Sequence, residues 1–113
     1  PYRRQRQMCI RDRCRYDEMG YYKIEFVDDV DSVLVDIRDS KEYRAAHVRG
    51  AVNVPYEEIK EAYFPEEKFL VLYCDRGGAS MEAGRYLAEQ GYQVCSVVGG
   101  FMAYRGRNLV ISP

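Results

Sequence analysis

The sequence predicts an α/β fold, a mainly parallel sheet with helices on both faces. Three observations carry this prediction. Short apolar runs alternate with helix-patterned stretches from about residue 21 onward, the order that builds parallel sheets. The run Phe69–Tyr73, FLVLY, is apolar throughout, as a buried strand should be. Proline and glycine stand between these stretches, at residues 55, 65, 91, 99 and 100, where they end elements rather than interrupt them.

Each element has its own local signal. Residues 21–26 are a weak strand candidate. Residues 33–35, VLV, read as a buried strand. Asp39 with Glu42 three positions on is a helix N-terminal signature, and the helix should run to about Ala46. Residues 51–54 form a strand closed by Pro55. Residues 56–63 are helical, and Pro65 forces their end. After the FLVLY strand comes the loop Cys74-Asp75-Arg76-Gly77-Gly78-Ala79-Ser80. Ser80 is a suitable N-cap for the next helix. Ala83, Tyr86 and Leu87 make the apolar face of that helix, and Gly91 fits just past its end. Residues 93–98 give a further strand, Gly99-Gly100 a turn, and a last helix runs to about Tyr104.

The chain has 113 residues, a length that suits one domain. With 17 basic and 18 acidic residues its net charge is −1, which does not suggest a nucleic-acid partner. No apolar run approaches the roughly 18 residues of a membrane span, and no secretory leader pattern is seen near the start. A cytoplasmic setting is therefore expected. There the four cysteines, Cys9, Cys14, Cys74 and Cys95, should be thiols. With a single histidine, His47, and no C-x-x-C pair, zinc spacing is not met. No metal or cofactor is expected, and the oligomeric state is left open.

The first residues stand apart. Residues 3–13, RRQRQMCIRDR, match in order the reading-frame translation of a transposase adapter used in DNA library preparation. Segment 1–15 is accordingly read as non-native, adapter-derived or disordered sequence, and residues 16–113 as the domain. A basic arm for RNA or an anionic membrane is the competing reading. Setting aside five arginines and Asp12 leaves 12 basic and 17 acidic residues, so the remainder is acidic.

The chemistry points to Cys74. In open α/β sheets ligands bind beyond the carboxyl ends of the strands, and Cys74 directly follows the most apolar strand. Gly77 and Gly78 permit a loop whose N–H groups turn inward as an anion nest. The following helix adds its positive end. A thiol at that focus is activated without a histidine base. A small buried cysteine before a glycine loop fits the local pattern equally well.

A resemblance separates the two. Residues 33–43 and 46–55 are similar to the "D-V-R-x-x-x-E-[YF]" and "G-H-I-x-G-A-x-N-I-P" segments of the rhodanese family. Residues 73–80 resemble its active-site loop, C-x-x-G-x-x-S, and residues 97–104 its closing "L-x-G-G-x-x-A-W" element. The four blocks occur in order across residues 33–106. The resemblance implies a three-layer domain with a central, mostly parallel five-stranded sheet flanked by helices. It implies a sulfurtransferase in which Cys74 carries sulfur as a persulfide. Asp75, Arg76, Gly77, Gly78, Ala79 and Ser80 would then cradle the sulfur and the substrate. The implied partners are a small sulfur donor (thiosulfate, a polysulfide or a protein-borne persulfide) and a thiol or cyanide acceptor.

The sequence departs from the family pattern at several places. Ala46 replaces a glycine and Tyr104 a tryptophan. Ala79 stands where many members carry arginine, and Asp75 sets a negative charge beside the nucleophile. Arg76 is the remaining cation of the loop. His47 is expected to be a framework residue, and Asp36 with Arg38 a structural pair. Cys95 is expected in the core. Three rival readings are weighed: a non-catalytic binding or regulatory module, a Cys-based phosphatase, and redox sensing through Cys74 and Cys95. The phosphatase reading is weakened because Ser80 occupies the position, six after the cysteine, where that chemistry needs arginine.

Overall fold

The computed structural model describes residues 13–14, 32–76, 78–107 and 109–112. The strand candidate at 21–26, Cys9 and Gly77 lie outside the described residues. In chain order the elements are β1 (Arg13–Cys14), β2 (Ser32–Asp36), α1 (Ser40–Ala45), β3 (Ala46–Val48), β4 (Val52–Asn53), a first 3-10 helix (Tyr56–Glu61), β5 (Phe69–Tyr73), α2 (Gly78–Glu89), β6 (Gln93–Val97), a second 3-10 helix (Phe101–Ala103) and β7 (Leu109–Ile111).

Apolar strands drive the architecture. β1, β6, β5, β2 and β4 form one sheet in that order, every neighbouring pair parallel. This is the expected five-stranded α/β sheet. Side chains alternate faces along each strand. Val35, Leu70, Leu72 and Val94 point to one side, where they pack with Ile59 of the first 3-10 helix and Ala83 and Leu87 of α2. Leu34, Val71, Tyr73, Cys95 and Val97 point to the other, against Val48 and Tyr104. Two apolar clusters on opposite faces make the three layers. At roughly 25 cal/mol per Å² of apolar surface removed from water, such fully buried Leu and Val side chains supply most of the stabilisation.

Helix ends follow their sequence signals. The Asp39 carboxylate accepts the Glu42 N–H at 3.0 Å and starts α1. Gly91, at φ +99°, ends α2. Its N–H donates to the Ala88 carbonyl and that of Tyr92 to the Leu87 carbonyl, the paired pattern of a Schellman stop.

Several expectations are corrected. The strand at 51–54 shortens to Val52–Asn53, and the stretch beginning at Tyr56 is a 3-10 helix rather than an α-helix. The last helix is a single 3-10 turn. Ser80 does not cap α2, because the helix begins at Gly78 and Ser80 sits fully buried within its first turn. β3 and β7 pair antiparallel as a second small sheet that the sequence reading did not contain. Arg13 and Cys14, the two described residues of the segment set aside as 1–15, pair with β6 as β1. The expectation of thiols fails at one pair, since Cys14 and Cys95 form a disulfide between β1 and β6. Cys95 is a core residue, as expected, but one that is cross-linked.

Candidate active site

Cys74 continues the two-residue alternation of Leu70 and Leu72 and so falls on the α2 face of the sheet. The residue is 7% exposed, and its thiol takes no part in a disulfide. It is packed near Ala83 and Leu87, which a purely structural cysteine would also be. The polar contacts distinguish it. The Ser80 N–H, in the first turn of α2, donates to the Cys74 sulfur at 3.4 Å. First-turn amides have no intrahelical acceptor, so this donor is available to an anion. The Cys74 thiol lies 3.5 Å from the Ser80 hydroxyl, which is 2.6 Å from the hydroxyl of Ser96.

Ser96 is a site residue that sequence reasoning missed. It is 2% exposed, on β6 opposite Leu72 of β5. The alternation that sends Val94 to the α2 face sends Ser96 there too. A serine at an inward position of a buried strand, one register step short of Cys74, was the available signal.

The other loop residues divide. Asp75 and Arg76 are exposed and Ala79 is half-buried. Gly78 has ordinary backbone angles, and a Cβ there would meet nothing within 4 Å. The special conformation expected of it is not used. Across the loop, Gly99 (φ +79°) and Gly100 (φ +63°) do adopt positive φ. From that turn the Phe101 N–H donates to the Cys74 carbonyl at 2.6 Å, and the Met102 N–H to the Asp75 carbonyl at 3.0 Å.

The rhodanese-like domain family matches residues 21–107, a span that holds this loop, its strand and its helix. The chain belongs to that family. A thiosulfate sulfurtransferase GlpE from Pseudoalteromonas translucida is 35% identical over 85 residues, covering 72% of this chain and 80% of that protein. A tRNA sulfurtransferase from Desulfurococcus amylolyticus is 33% identical over 75 residues, and there the matched region is only 15% of the larger protein. In fold, a rhodanese-like domain protein from Staphylococcus aureus superposes with a TM-score of 0.76 at 21% identity, covering 90% of this chain and 99% of that one.

Beneath the rhodanese-like loop lies a buried ionic frame. The Arg38 Nε and a terminal nitrogen grip both carboxylate oxygens of Asp36, at 2.7 to 3.1 Å. Burial alone would lower the Arg38 pKa, but the hydrogen bonds and charge of Asp36 outweigh it and hold the pKa above its ordinary value. Burial, then the charge of Asp36, pushes the Tyr73 phenol far above its usual range, so it stays neutral. The Tyr73 hydroxyl accepts the Val48 N–H at 3.1 Å. Asp36 and Arg38 are thus paired. His47 stacks on Tyr43 at 3.8 Å, with its Nδ1 2.8 Å from the Tyr43 carbonyl. Its ring belongs to the α1–β3 corner. Two surface clefts lie between the first 3-10 helix and α2, and neither is lined by residues 74–80.

Proposed function

We propose that this domain is a rhodanese-type sulfurtransferase that moves a sulfane sulfur from a donor to a thiol or cyanide acceptor through a persulfide on Cys74. The observation that carries the reading is the Cys74 sulfur at the N-terminal end of α2, where it accepts the Ser80 N–H and its thiol donates to the Ser80 hydroxyl oxygen. Membership of the family and the sulfurtransferase relatives support it. The Cys74 thiolate attacks the outer sulfur of the donor. A sulfur–sulfur bond forms to Cys74 while the donor's own sulfur bond breaks, and its electron pair leaves with sulfite or a thiolate. Loop and helix amides balance the negative charge on the bound sulfur. The acceptor then attacks the outer sulfur and returns the Cys74 thiolate.

Asp75, Arg76, Gly77, Gly78, Ala79 and Ser80 form the substrate cradle in this reading. With Ala79 in place of arginine and the Asp75 charge at the mouth, a persulfide or polysulfide suits the loop better than dianionic thiosulfate. A phosphatase would need a cation where the fully buried Ser80 stands. Redox sensing through Cys74 and Cys95 is set aside, because Cys95 is bonded to Cys14 and packs on the opposite face of the sheet.

Intact mass after treatment with a sulfane donor tests the reading. The expected result is a gain of one sulfur, lost again on adding cyanide. Cys74→Ser should fold, take up no sulfur and transfer none. Transfer by that variant would rule out the assignment.

A further inference from the structure

The geometry points to the turn at Gly99–Gly100 as the device that orients the sulfur cradle, with Gly100, Phe101 and Arg38 as positioning residues. This rests on the persulfide reading of Cys74. A peptide unit is planar and trans, so its N–H points opposite to its C=O. The Cys74 carbonyl is held by the Phe101 N–H and the Asp75 carbonyl by the Met102 N–H. Both carbonyls therefore face the turn, and the N–H groups of Asp75 and Arg76 face away from it. Phe101 packs with the cluster on one face of the sheet, and Cys74 belongs to the cluster on the other. Pulling the carbonyls toward Phe101 therefore directs the next two amides to the side where the sulfur lies.

Two features hold the turn in place. Gly100 adopts φ +63° and ψ −155°, a region essentially reserved for glycine. A Cβ there would overlap the Cys74 carbonyl oxygen and stand 2.6 Å from the carbonyl carbon and oxygen of Asp75. Only a bare backbone can approach so closely. Phe101 is clamped in turn, because the Arg38 guanidinium sits 4.0 Å over its ring while Asp36 fixes the guanidinium. The Tyr73 ring stacks 5.9 Å away. The buried ion pair thus acts on the loop through Phe101, without touching sulfur.

The test is the pH midpoint for alkylation of Cys74 by iodoacetamide, measured on the full chain. Gly100→Ala should raise that midpoint by about one to two units, the size of losing a hydrogen bond to a charged sulfur. Because Gly100→Ala strains the backbone, Met102→Pro is the second variant. It deletes one N–H near the start of a 3-10 helix, and the Met102 side chain is 58% exposed. Its comparison is Met102→Ala, which trims the same side chain but keeps the N–H. A midpoint raised in Met102→Pro relative to Met102→Ala, with cooperative thermal unfolding retained, supports the device. Equal midpoints in the two folded variants overturn it. Failure of the sulfur mass gain in the unsubstituted chain would instead refute the persulfide reading, and the midpoint comparison would still decide the turn's role.

Discussion

Ser96 reaches the reactive sulfur at one remove. When Cys74 is a thiol, its S–H can donate to the Ser80 oxygen. Once ionised, the sulfur can only accept, so Ser80 must donate to it and Ser96 must donate to Ser80. In that state the 2.6 Å hydroxyl pair runs from Ser96 to Ser80, and donation from Ser96 strengthens that from Ser80. Ser96→Ala should slow sulfur uptake about fivefold, the worth of one ordinary hydrogen bond, and shift the alkylation midpoint upward. Unchanged uptake kinetics would show that the pair only fills space. Asp75 acts by charge instead. Two unit charges about 5 Å apart in water interact by about 0.8 kcal/mol, and thiosulfate carries two. Asp75→Gly should therefore raise kcat/KM for thiosulfate by about fifteenfold, and Asp75→Arg more. If neither variant gains, charge opposition does not limit the reaction. Cys74 could be singled out because it follows an unmistakable strand and opens a loop that resembles the rhodanese one. Ser96 was not, because a lone serine in an apolar run shows its partner only when the strand register is known.

Among the elements, β1 is the least able to hold itself. It has two residues, and beyond its ladder the Cys14 carbonyl accepts the Val98 N–H at 2.8 Å. The disulfide to Cys95 spans 81 residues of chain and so removes much freedom from the unfolded state. Reduction should lower the unfolding free energy by about 2 to 5 kcal/mol, read from urea melts with and without dithiothreitol. Cys14→Ser should show the lower value in both conditions. Equal stability of oxidised and reduced protein would mean that the bridge adds nothing to the fold. The elements readable in the sequence were those with length or a stop signal. β5 and β6 are five residues each, and α2 carries its own Gly91 terminus. β1, β3 and β7 have two or three residues, too few for any periodicity. β3 pairs with β7 across Ala46 and Ile111, a closure that no local pattern encodes. Gly78 and Ser80 were misread because sequence shows that a loop meets a helix, but not which residue begins the first turn.

At the scale of the whole molecule, charge should govern how donors arrive. The chain from Arg13 onward keeps β1 but loses Arg3, Arg4, Arg6, Arg11 and Asp12, leaving 13 basic and 17 acidic residues. That net charge repels thiosulfate before it reaches Arg76 or the helix end, and the repulsion extends about one Debye length. At 0.01 M ionic strength this is about 30 Å, and at 0.1 M about 10 Å, so salt should relieve most of it. For a chain begun at Arg13, kcat/KM for thiosulfate should rise about two- to threefold over that range, a gain set by screening. The full chain, at a net of −1, should respond less. A neutral sulfane donor should show no rise with either chain, because no long-range force acts on it. A thiosulfate rate that falls with salt would mean that attraction within the loop outweighs the field of the domain, and that Arg76 rather than overall charge selects the donor.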